Sequence, residues 1–397
     1  MRGVAGNIRT LFVNSGILGQ RTFARFVDEA FVRRSDGAEA VQTILADGLT
    51  MPERLMRRLM CTRLWPDGLG ARNLDRARFR AELNAGFVAR RRIARLEREA
   101  GRRFDVLHFH MQATAYGSVA RMRLTPSIVS IDCTQGIVVR AARSDAERRS
   151  FAANIRRDGE IFAAAQLIAP LSQWAADCLR DEYPGCTTEI AVMPNPVQTG
   201  AFDPSWAEWR YERAKAHGFT PTVLFVGGDF VRKGGFDLLD AWREGRFAGR
   251  ASLHIVSDWP IEAHRLGDGV TVSRGITSHS PAWLNMWRDA DIFALPTRDD
   301  AFGLVYQEAA AAGLPAIGPN LNAVPELIAD GVTGVLTPRG SREALIAALD
   351  RLITSAVERR TMGARARARV ETVADPAAYR DRLLDAVQRV ARQERVQ

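Results

Sequence analysis

Residues 299–338, DDAFGLVYQEAAAAGLPAIGPNLNAVPELIADGVTGVLTP, decide the fold class of this chain. The stretch follows the apolar run 291–295, which predicts a buried strand, and its Phe-Gly turn opens an alanine-rich helix. In a parallel α/β sheet, phosphate-bearing ligands bind where a strand ends and the next helix begins. Asp300 and Glu308 are eight residues apart, about two helical turns, so both can face that place. Because carboxylates accept hydrogen bonds from hydroxyls, the pair predicts a nucleotide-sugar site.

The same stretch resembles the donor-site signature of retaining GT-B glycosyltransferases, the family that includes glycogen synthase and many bacterial mannosyl- and glucosyltransferases. The matching segments are Asp300, Phe302-Gly303, Glu308, Gly313-Leu314-Pro315, Pro325-Glu326-Leu327-Ile328 and Asp330-Gly331-Val332-Thr333-Gly334. The family carries Glu at the position of Asp300, so the carboxylate of this chain is one methylene shorter. The resemblance implies that Asp300 contacts the donor sugar and that Glu308 holds the ribose hydroxyls. It places four more residues in the donor-binding site: Phe302, Gly303, Leu304 and Val305.

A second stretch, 225–235, reads FVGGDFVRKGG and predicts a strand that enters a glycine-rich loop with two cations. Glycine lets the backbone approach a diphosphate, and nearby cations stabilise its charge. The chain has 53 arginines and two lysines, Lys215 and Lys233, so Lys233 indicates a place that requires a compact ammonium. The GT-B family has Lys-Gly here, with an arginine five residues earlier, where this chain has Gly228. The resemblance implies that Lys233 contacts the donor phosphates and that Arg232 supplies the second charge.

Four more positions come from other strand ends. The first predicted strand runs into an Asn-Ser-Gly turn, and the resemblance implies that Gly16 lies near the donor sugar and phosphate. Where many relatives carry a histidine near the sugar, this chain has Asp132, which we assign to the other side of the sugar. At Gly275 and Ile276 the resemblance implies backbone recognition of the nucleobase. Segment 105–110, DVLHFH, resembles the family's D-V-V-H-x-H strand end; one histidine can face the cleft, or the histidines can be structural.

Apolar runs that predict strands alternate with helical patterns along the chain, which favours parallel sheets with crossover helices. The predicted strands are 10–13, 105–109, 127–131, 166–169, 189–193, 222–227, 252–256, 270–273, 291–295, 315–318 and 334–336. Segment 193–200, MPNPVQTG, separates two series and predicts a linker. We therefore expect an α/β chain of GT-B type, with two Rossmann-like doubly wound domains and an interdomain cleft. Residues 1–195 form the first domain and 196–375 the second, and the resemblance implies that a last helix, about 376–397, packs back on the first.

The composition is that of an ordinary globular protein, with 46% apolar and 25% charged residues among 397. No run approaches the roughly 18 apolar residues that span a bilayer, and the short apolar run near the N-terminus predicts a strand rather than a secretory signal. The four cysteines form no C-x-x-C pair and no disulfide-like spacing. These features predict a reduced, cytoplasmic protein.

Positive charge is concentrated in residues 51–103, the basic window, which contains 15 arginines and six acids and so accounts for the whole net charge of +9. Apolar residues recur among the arginines in a helical pattern. Such a helix can lie on an anionic membrane surface or face an anionic acceptor, and the alternative is an ordinary solvated helix face. Because aromatic residues are few and no binding motif is present, nucleic acid is not expected as a partner.

The main hypothesis is transfer of a hexosyl unit from a nucleoside diphosphate sugar to an acceptor hydroxyl, with retention and without a metal. Asp132, Lys233 and Asp300 are the predicted catalytic residues; the nucleotide sugar is a co-substrate, and no cofactor is expected. The acceptor is unknown, and a lipid-linked or polysaccharide acceptor would place the protein at the inner face of the cell membrane. Two alternatives stay open: a GT-B nucleotide-sugar epimerase, which needs no acceptor, and a non-catalytic basic module that docks on membrane.

Overall fold

The computed structural model describes residues 8–17, 19–33, 39–62, 73, 76–140, 142 and 144–393. The chain divides into two compact units: unit 1 is Met1–Asn195 with Ala377–Gln397, and unit 2 is Pro196–Pro376. Each unit is built on one six-stranded sheet in which all neighbouring strands are parallel. Among the described residues, no helix combines the length and the apolar character needed to cross a membrane.

Unit 1 begins the α/β alternation. Its strands are β1 Arg9–Asn14, β2 Glu39–Ile44, β3 Val106–His110, β4 Ser127–Ile131, β5 Leu167–Pro170 and β6 Glu189–Ile190. Its helices are α1 Gln20–Val27, α2 Met51–Cys61, α3 Ala77–Ala100, α4 Val119–Met122, α5 Gln135–Arg140, α6 Asp145–Ser150, α7 Ala152–Ala164 and α8 Gln173–Glu182. The sheet order is β2-β1-β3-β4-β5-β6. The order reverses direction between β1 and β3, so the carboxyl ends of these two strands flank the switch point of the sheet.

Both faces of the unit 1 sheet are buried, because alternate residues of each strand enter different core clusters. Leu11 and Val13 pack in a cluster with residues of α3 and α7, whereas Phe12 packs in a cluster with residues of α1. That second cluster also contains Tyr379 and Leu383 of the last helix, α16 Pro376–Gln393. The polypeptide therefore returns to unit 1 at its C-terminal helix. Strands covered on both faces read as continuous apolar runs, which is why the sequence revealed them.

Unit 2 has the strand order of a nucleotide-binding doubly wound sheet. Its strands are β7 Thr222–Val226, β8 Ser252–Val256, β9 Val270–Ser273, β10 Ile292–Ala294, β11 Ala316–Pro319 and β12 Gly334–Thr337. Its helices are α9 Trp206–Arg213, α10 Gly235–Glu244, α11 Pro281–Asp289, α12 Leu304–Ala311, α13 Val324–Leu327, α14 Arg342–Thr354 and α15 Ala356–Val373. The order β12-β11-β10-β7-β8-β9 places the switch point between β7 and β10.

Two loops leave the unit 2 sheet side by side at this switch point: the β7 loop, residues 227–234, and the β10 loop, residues 295–303. Gly234 lies so close to the β10 loop that a Cβ atom there would be 1.9 Å from the carbonyl oxygen of Pro296. The backbone amide of Arg298 donates to the carbonyl oxygen of Arg232 at 2.8 Å, which fixes the two loops at a second point. The relative position of the loops is therefore set by backbone contacts.

Several elements were not predicted from the alternation of strands and helices, namely β2 and the helices α1, α4, α5, α9, α13 and α15. In α15, alanines alternate with arginines, so the sequence carries no apolar stripe that would reveal a helix. The basic window 51–103 contains α2 and α3, as its helical pattern predicted, and its residues 63–72, 74 and 75 lie outside the described residues. Residues 394–397 of the predicted last helix also lie outside them.

The close approach of the two loops makes Gly234 the most constrained glycine of unit 2. Its φ is 74° and a Cβ atom would overlap the carbonyl of Pro296, whereas Gly218, with φ of 75°, has no atom within 4 Å of the same position. We expect Gly218→Ala to lower the free energy of unfolding by about 1 kcal/mol, and Gly234→Ala by about 1–3 kcal/mol more.

Urea denaturation followed by tryptophan fluorescence measures this difference, because six of the eight tryptophans belong to unit 2. Equal midpoints for the two variants would contradict the backbone contact at Gly234.

Candidate functional site

The carboxyl edge of the unit 2 sheet gathers most of the predicted donor-binding residues. Lys233 lies at the end of the β7 loop, Asp300 and Gly303 lie in the β10 loop, and Glu308 lies in α12. In open α/β sheets, ligands bind at the switch point, outside the carboxyl ends of the strands. Sequence segments 67 residues apart thus meet at the place where the strand order predicts a ligand.

Lys233 and Asp300 are in direct contact. The Lys233 ammonium donates a hydrogen bond to Oδ2 of Asp300 and forms a salt bridge with it. The two side chains are 15% and 12% exposed, so the charges attract each other more strongly than they would in bulk water. The backbone carbonyl of Asp300 accepts a hydrogen bond from Nδ2 of Asn322 at 3.0 Å, which anchors the loop behind the pair. An anionic ligand at this edge would compete with Asp300 for the ammonium.

Arg232 joins the two loops. Its Nε lies 3.2 Å from Oδ2 of Asp229, and one of its terminal nitrogens donates to the carbonyl oxygen of Asp299 at 2.6 Å. Its backbone carbonyl accepts hydrogen bonds from the β10 loop as well, from the amide of Arg298 and the hydroxyl of Thr297. The guanidinium therefore has protein partners in this structure, and its assignment to the donor phosphates stays a prediction.

The N-terminus of α12 supplies backbone donors. Gly303 precedes the helix with φ of 77°, and a Cβ atom there would lie 2.8 Å from the ring of Tyr306, so glycine is required at this turn. Phe302 is buried, while Leu304 and Val305 are half-buried. The first amides of an α-helix have no acceptor within the helix and lie at the positive end of its dipole. An anion at the switch point can use these amides as donors.

Glu308 lies one turn further along α12. The side chain is half-buried, and no described residue forms a hydrogen bond or salt bridge with its carboxylate. Burial raises the pKa of Glu308 from 4.5 to about 8. A carboxyl group that is partly desolvated and lacks a protein partner can bind hydroxyl groups of a ligand, because it accepts when ionised and also donates when protonated. Perturbed carboxyl groups of this kind concentrate at ligand sites.

The loop after β9 holds the two residues assigned to the nucleobase. Gly275 has φ of 67° and is exposed, and its amide donates to Oδ1 of Asp258 at 2.7 Å. Ile276 is half-buried and packs against the core of unit 2. Asp258 follows β8, the neighbouring strand, so a carboxylate from one loop fixes the backbone of the next. Such a turn can present backbone groups to a ligand without leaving a side-chain signature.

Gly16 and Asp132 belong to unit 1, where they follow β1 and β4 at the carboxyl edge of that sheet. Gly16 has φ of 75°, and a Cβ atom there would lie 2.4 Å from Cγ2 of Ile44 on the neighbouring strand β2. Asp132 is half-buried, and burial raises its pKa, although hydrogen bonds to Cys133 and the charge of Arg78 oppose the shift. The positions of both residues in the site remain predictions.

A buried polar cluster lies beside the loop that follows β4. Glu82 of α3 accepts hydrogen bonds from Asn154 of α7 at 2.6 Å and from Gln135 of α5 at 2.7 Å. Asp158 of α7 accepts from the hydroxyl of Tyr116 at 3.3 Å and from the amide of Gln135 at 3.3 Å. Burial raises the pKa of Asp158 well above its usual range. The cluster thus ties the start of α5, three residues after Asp132, to two long helices.

The two histidines of β3 are fully buried. Nε2 of His108 lies 2.9 Å from the hydroxyl of Ser130 on β4, and burial lowers the pKa of His108 to about 3. The ring of His110 stacks on Phe23 of α1 at 3.8 Å, and burial lowers its pKa as well. Both imidazoles are therefore neutral near pH 7 and belong to the core, in agreement with the structural interpretation of this strand end.

Three supporting residues escaped the sequence analysis. Asn322 and Asp258 hold the β10 loop and the Gly275 turn, and the Tyr306 hydroxyl donates to the carbonyl oxygen of Leu295 at 2.6 Å. Isolated Asn, Asp and Tyr residues after a strand or in a helix are too common to signal such roles. A weak signal was available for Asn322, which follows β11 in a Pro-Asn-Leu-Asn run and adopts φ of 51°, a conformation that asparagine tolerates.

Positive groups at the switch point include Lys233, Arg232 and the first amides of α12. The part of the chain that the structure describes contains no group of three or more His, Cys, Asp or Glu side chains arranged to hold a metal ion. The site residues of unit 2 thus combine a cation and backbone donors with two carboxylates, Asp300 and Glu308. This combination suits a ligand that carries both a phosphate and hydroxyl groups.

Comparison with known proteins shows which family part of the chain resembles. Residues 220–355 match the family model Glycosyl transferases group 1. The D-inositol 3-phosphate glycosyltransferase of Segniliparus rotundus is 31% identical over 226 residues, which are 52% of this chain and 48% of that protein. The enzyme of the same name from Geodermatophilus obscurus is 26% identical and covers 66% of this chain and 62% of its own length. The chain thus matches about half to three fifths of the length of these relatives.

Solved structures define the fold. Sucrose-phosphate synthase from Thermosynechococcus elongatus aligns with 97% of this chain and 99% of its own at a TM-score of 0.70 and 17% identity. HepE from Anabaena, in complex with UDP and glucose, aligns with 96% of this chain and 99% of its own at a TM-score of 0.65 and 15% identity. Two six-stranded parallel α/β units of this kind define the GT-B class of glycosyltransferase fold. The chain thus has the GT-B fold, and residues 220–355 within unit 2 are similar to the group 1 glycosyltransferases.

The raised pKa of Glu308 predicts a pH-dependent effect of Glu308→Gln. Between pH 4.5 and about 8 the folded protein keeps a proton that the unfolded chain releases, so the wild type loses stability as the pH rises through this window. Glutamine carries no charge, so the free energy of unfolding of the variant relative to wild type should increase from pH 5 to pH 8.

Urea denaturation at both pH values measures this change. Glu343→Gln, at an exposed position of α14, is the matched control and should show no such trend. An equal difference between Glu308→Gln and wild type at both pH values would contradict the burial effect.

Proposed function

We propose that the protein transfers a hexosyl unit from a nucleoside diphosphate sugar to an acceptor hydroxyl, with retention of configuration and without a metal ion. The observation that carries the proposal is the meeting of Lys233, Asp300 and the N-terminus of α12 at the unit 2 switch point. This arrangement offers an ammonium and helix amides to a diphosphate, and carboxylates to hydroxyl groups. The match of residues 220–355 to the group 1 glycosyltransferase family supports the same reaction class.

In the proposed reaction, the bond between the anomeric carbon and the diphosphate oxygen breaks, and the leaving diphosphate gains negative charge. Lys233, Arg232 and the amides of Gly303 and Leu304 would stabilise that charge, because fixed positive groups act most strongly where charge develops. When donor binds, the Lys233 ammonium would exchange Asp300 for phosphate oxygens. The freed carboxylate of Asp300 would then accept hydrogen bonds from the donor sugar.

Glu308 would hold the ribose hydroxyls. Its raised pKa suits this role, because a ligand that supplies two hydroxyl donors stabilises the ionised carboxylate and replaces the water that burial removed. Phe302 and Val305 would line the same pocket, Gly275 and Ile276 would contact the base, and Gly16 and Asp132 would approach the sugar from unit 1. Retention, proposed from the resemblance, requires the acceptor to attack on the face from which the diphosphate departs, and we assign no protein nucleophile.

The named relatives guide the choice of substrates. UDP is the first nucleotide to assay, because HepE was solved with UDP and glucose. Inositol 3-phosphate is an acceptor to assay, because curated relatives bear the name D-inositol 3-phosphate glycosyltransferase. We also propose lipid-linked and polysaccharide acceptors, in a cytoplasmic protein that works at the inner face of the cell membrane. The relatives favour transfer over the epimerase alternative, which would form product with no acceptor.

Lys233→Ala is expected to abolish both nucleotide binding and transfer. A nucleoside diphosphate at about 100 times its Kd should add about 2.7 kcal/mol to the free energy of unfolding of the wild type. The assay is thermal denaturation with millimolar UDP, GDP, ADP and CMP. One nucleoside diphosphate should raise the Tm of the wild type and leave that of Lys233→Ala unchanged.

Lys215→Ala is the matched control, since Lys215 is the only other lysine, is exposed and pairs with Glu212. Its Tm should rise with nucleotide as the wild type's does. If no nucleoside diphosphate shifts the wild type, or if Lys233→Ala responds equally, the proposed site is wrong.

The transfer reaction itself should be insensitive to chelation. With the nucleotide sugar identified by the binding assay, nuclear magnetic resonance of the product should show the same anomeric configuration as the donor. The rate should be unchanged by EDTA, because protein groups carry the diphosphate charge. An inverted product would contradict retention, and a rate that falls with EDTA and recovers with a divalent cation would contradict metal independence.

A further inference from the structure

Helix α2 presents an apolar stripe to solvent. Met51, Leu55 and Leu59 are 79%, 69% and 69% exposed. They recur every four residues, so they fall within an arc of about 80° on one side of the helix. Single exposed apolar residues are ordinary on protein surfaces, whereas a contiguous stripe indicates a surface that something covers.

Arginines border the stripe. Arg54, Arg57 and Arg58 of α2 are all exposed, and at 100° per residue Arg54 and Arg58 lie at the edge of the apolar arc. With Leu49, Cys61 and Thr62, these arginines line an open cavity of about 510 Å³. No described acid forms a salt bridge with the three guanidinium groups. The stripe is therefore bounded on one side by positive charge that no acid of the described residues neutralises.

The charge continues from α2 onto α3. Arg90, Arg91, Arg95 and Arg98 are exposed on α3, and with Thr50 and Glu53 at the start of α2 they line a second cavity, of about 820 Å³. Two acids of α3 are already engaged, since Glu97 pairs with Arg121 and Glu99 with Arg95. The surface formed by α2 and the outer side of α3 is thus cationic beside an apolar stripe.

Helix α2 is held firmly on unit 1 by its inner face. Glu53 is buried, caps the helix by accepting from the amide of Thr50 at 2.8 Å, and lies 3.6 Å from Nε of the buried Arg92 of α3. The guanidinium of Arg92 in turn donates to the carbonyl oxygens of Ile44 and Asp47, both at 2.5 Å. The outer face is therefore presented by a helix in a fixed orientation.

The positive charge beside the apolar stripe of α2 determines what kind of partner can bind this face. Two copies of the chain that pack through α2 would bring their arginines together, and like charges at an interface oppose association. An anionic lipid bilayer satisfies both features, because its headgroups neutralise the arginines and its acyl region receives Met51, Leu55 and Leu59. We infer that α2 docks unit 1 on an anionic membrane surface, with the apolar stripe inserted and the arginines among the headgroups.

The role of this docking rests on the proposed function: it would bring a lipid-linked acceptor to the enzyme. Docking itself is tested without donor or acceptor. Full-length protein is incubated with vesicles of phosphatidylcholine alone and with vesicles of equal parts phosphatidylcholine and phosphatidylglycerol, and binding is measured by cosedimentation. We expect binding to the phosphatidylglycerol vesicles only. Part of it should persist at 1 M salt, where the Debye length is about 3 Å, because the apolar stripe is not screened.

Variants separate the two components of docking. Leu55→Ser with Leu59→Ser should weaken vesicle binding about 100-fold and remove the salt-resistant part. Arg54→Ala with Arg58→Ala should weaken it about 30-fold, at about 1 kcal/mol per arginine. A polarity-sensitive fluorophore on Cys61, the exposed cysteine, should shift to shorter wavelength when phosphatidylglycerol vesicles are added.

Matched controls lie elsewhere on the surface. Leu124→Ser with Val357→Ser removes leucine and valine side chains that are 68% and 63% exposed, and Arg365→Ala with Arg382→Ala removes two exposed helix arginines. Both controls should bind vesicles as the wild type does. Equal binding to vesicles with and without phosphatidylglycerol would overturn the inference, and so would vesicle binding that both α2 variants retain. The inference would also be wrong if the protein bound no vesicles but formed a dimer that the Leu55→Ser and Leu59→Ser changes dissociate. If the protein does not bind vesicles but its Tm still rises with nucleotide, the docking inference is wrong and the proposed function is not affected.

Discussion

The contact between Gly234 and the carbonyl of Pro296 is the constraint on which the candidate site depends. A backbone without a Cβ atom brings the β7 loop against the β10 loop, and hydrogen bonds from Thr297 and Arg298 to the carbonyl of Arg232 hold them there. Lys233 is the residue just before Gly234, so its position follows from this contact. The same contact fixes the path of the β10 loop towards Asp300. Backbone geometry thus sets the positions of Lys233 and Asp300 at the switch point.

The use of lysine at this place has a physical reason. Arginine occupies 53 of the 55 lysine or arginine positions in this chain, so lysine at position 233 is an exception. The side chains of Lys233 and Asp300 are mostly buried between two loops, where a compact ammonium with three donors needs fewer acceptors than a planar guanidinium with five. The neighbouring Arg232, at a more exposed position, uses its several donors to join the loops.

The sequence predicted the parts of the molecule that are repetitive or chemically distinctive. Strands buried on both faces appeared as apolar runs, and glycines with positive φ, such as Gly303, marked the turns that precede helices. It did not predict α15, whose arginines are distributed around the helix, or the buried cluster of Glu82 and Asp158, whose members come from distant segments. Nor could spacing show that Lys233 and Asp300 touch, because contacts between loops depend on strand order. Side-chain pairing across segments requires the three-dimensional structure.

The return of α16 to unit 1 has a consequence for how the molecule is assembled. Unit 2 is a continuous piece of polypeptide, whereas unit 1 is made of two pieces separated by 181 residues. The amide of Val197 donates to the carbonyl oxygen of Ala374 at 3.1 Å, so the entry and exit of unit 2 lie side by side. During synthesis, unit 2 has its whole sequence before unit 1 receives the helix that covers Phe23 and Phe26. Of the two units, unit 1 is therefore started first and completed last, and its apolar α1 face stays uncovered until α16 has been synthesised.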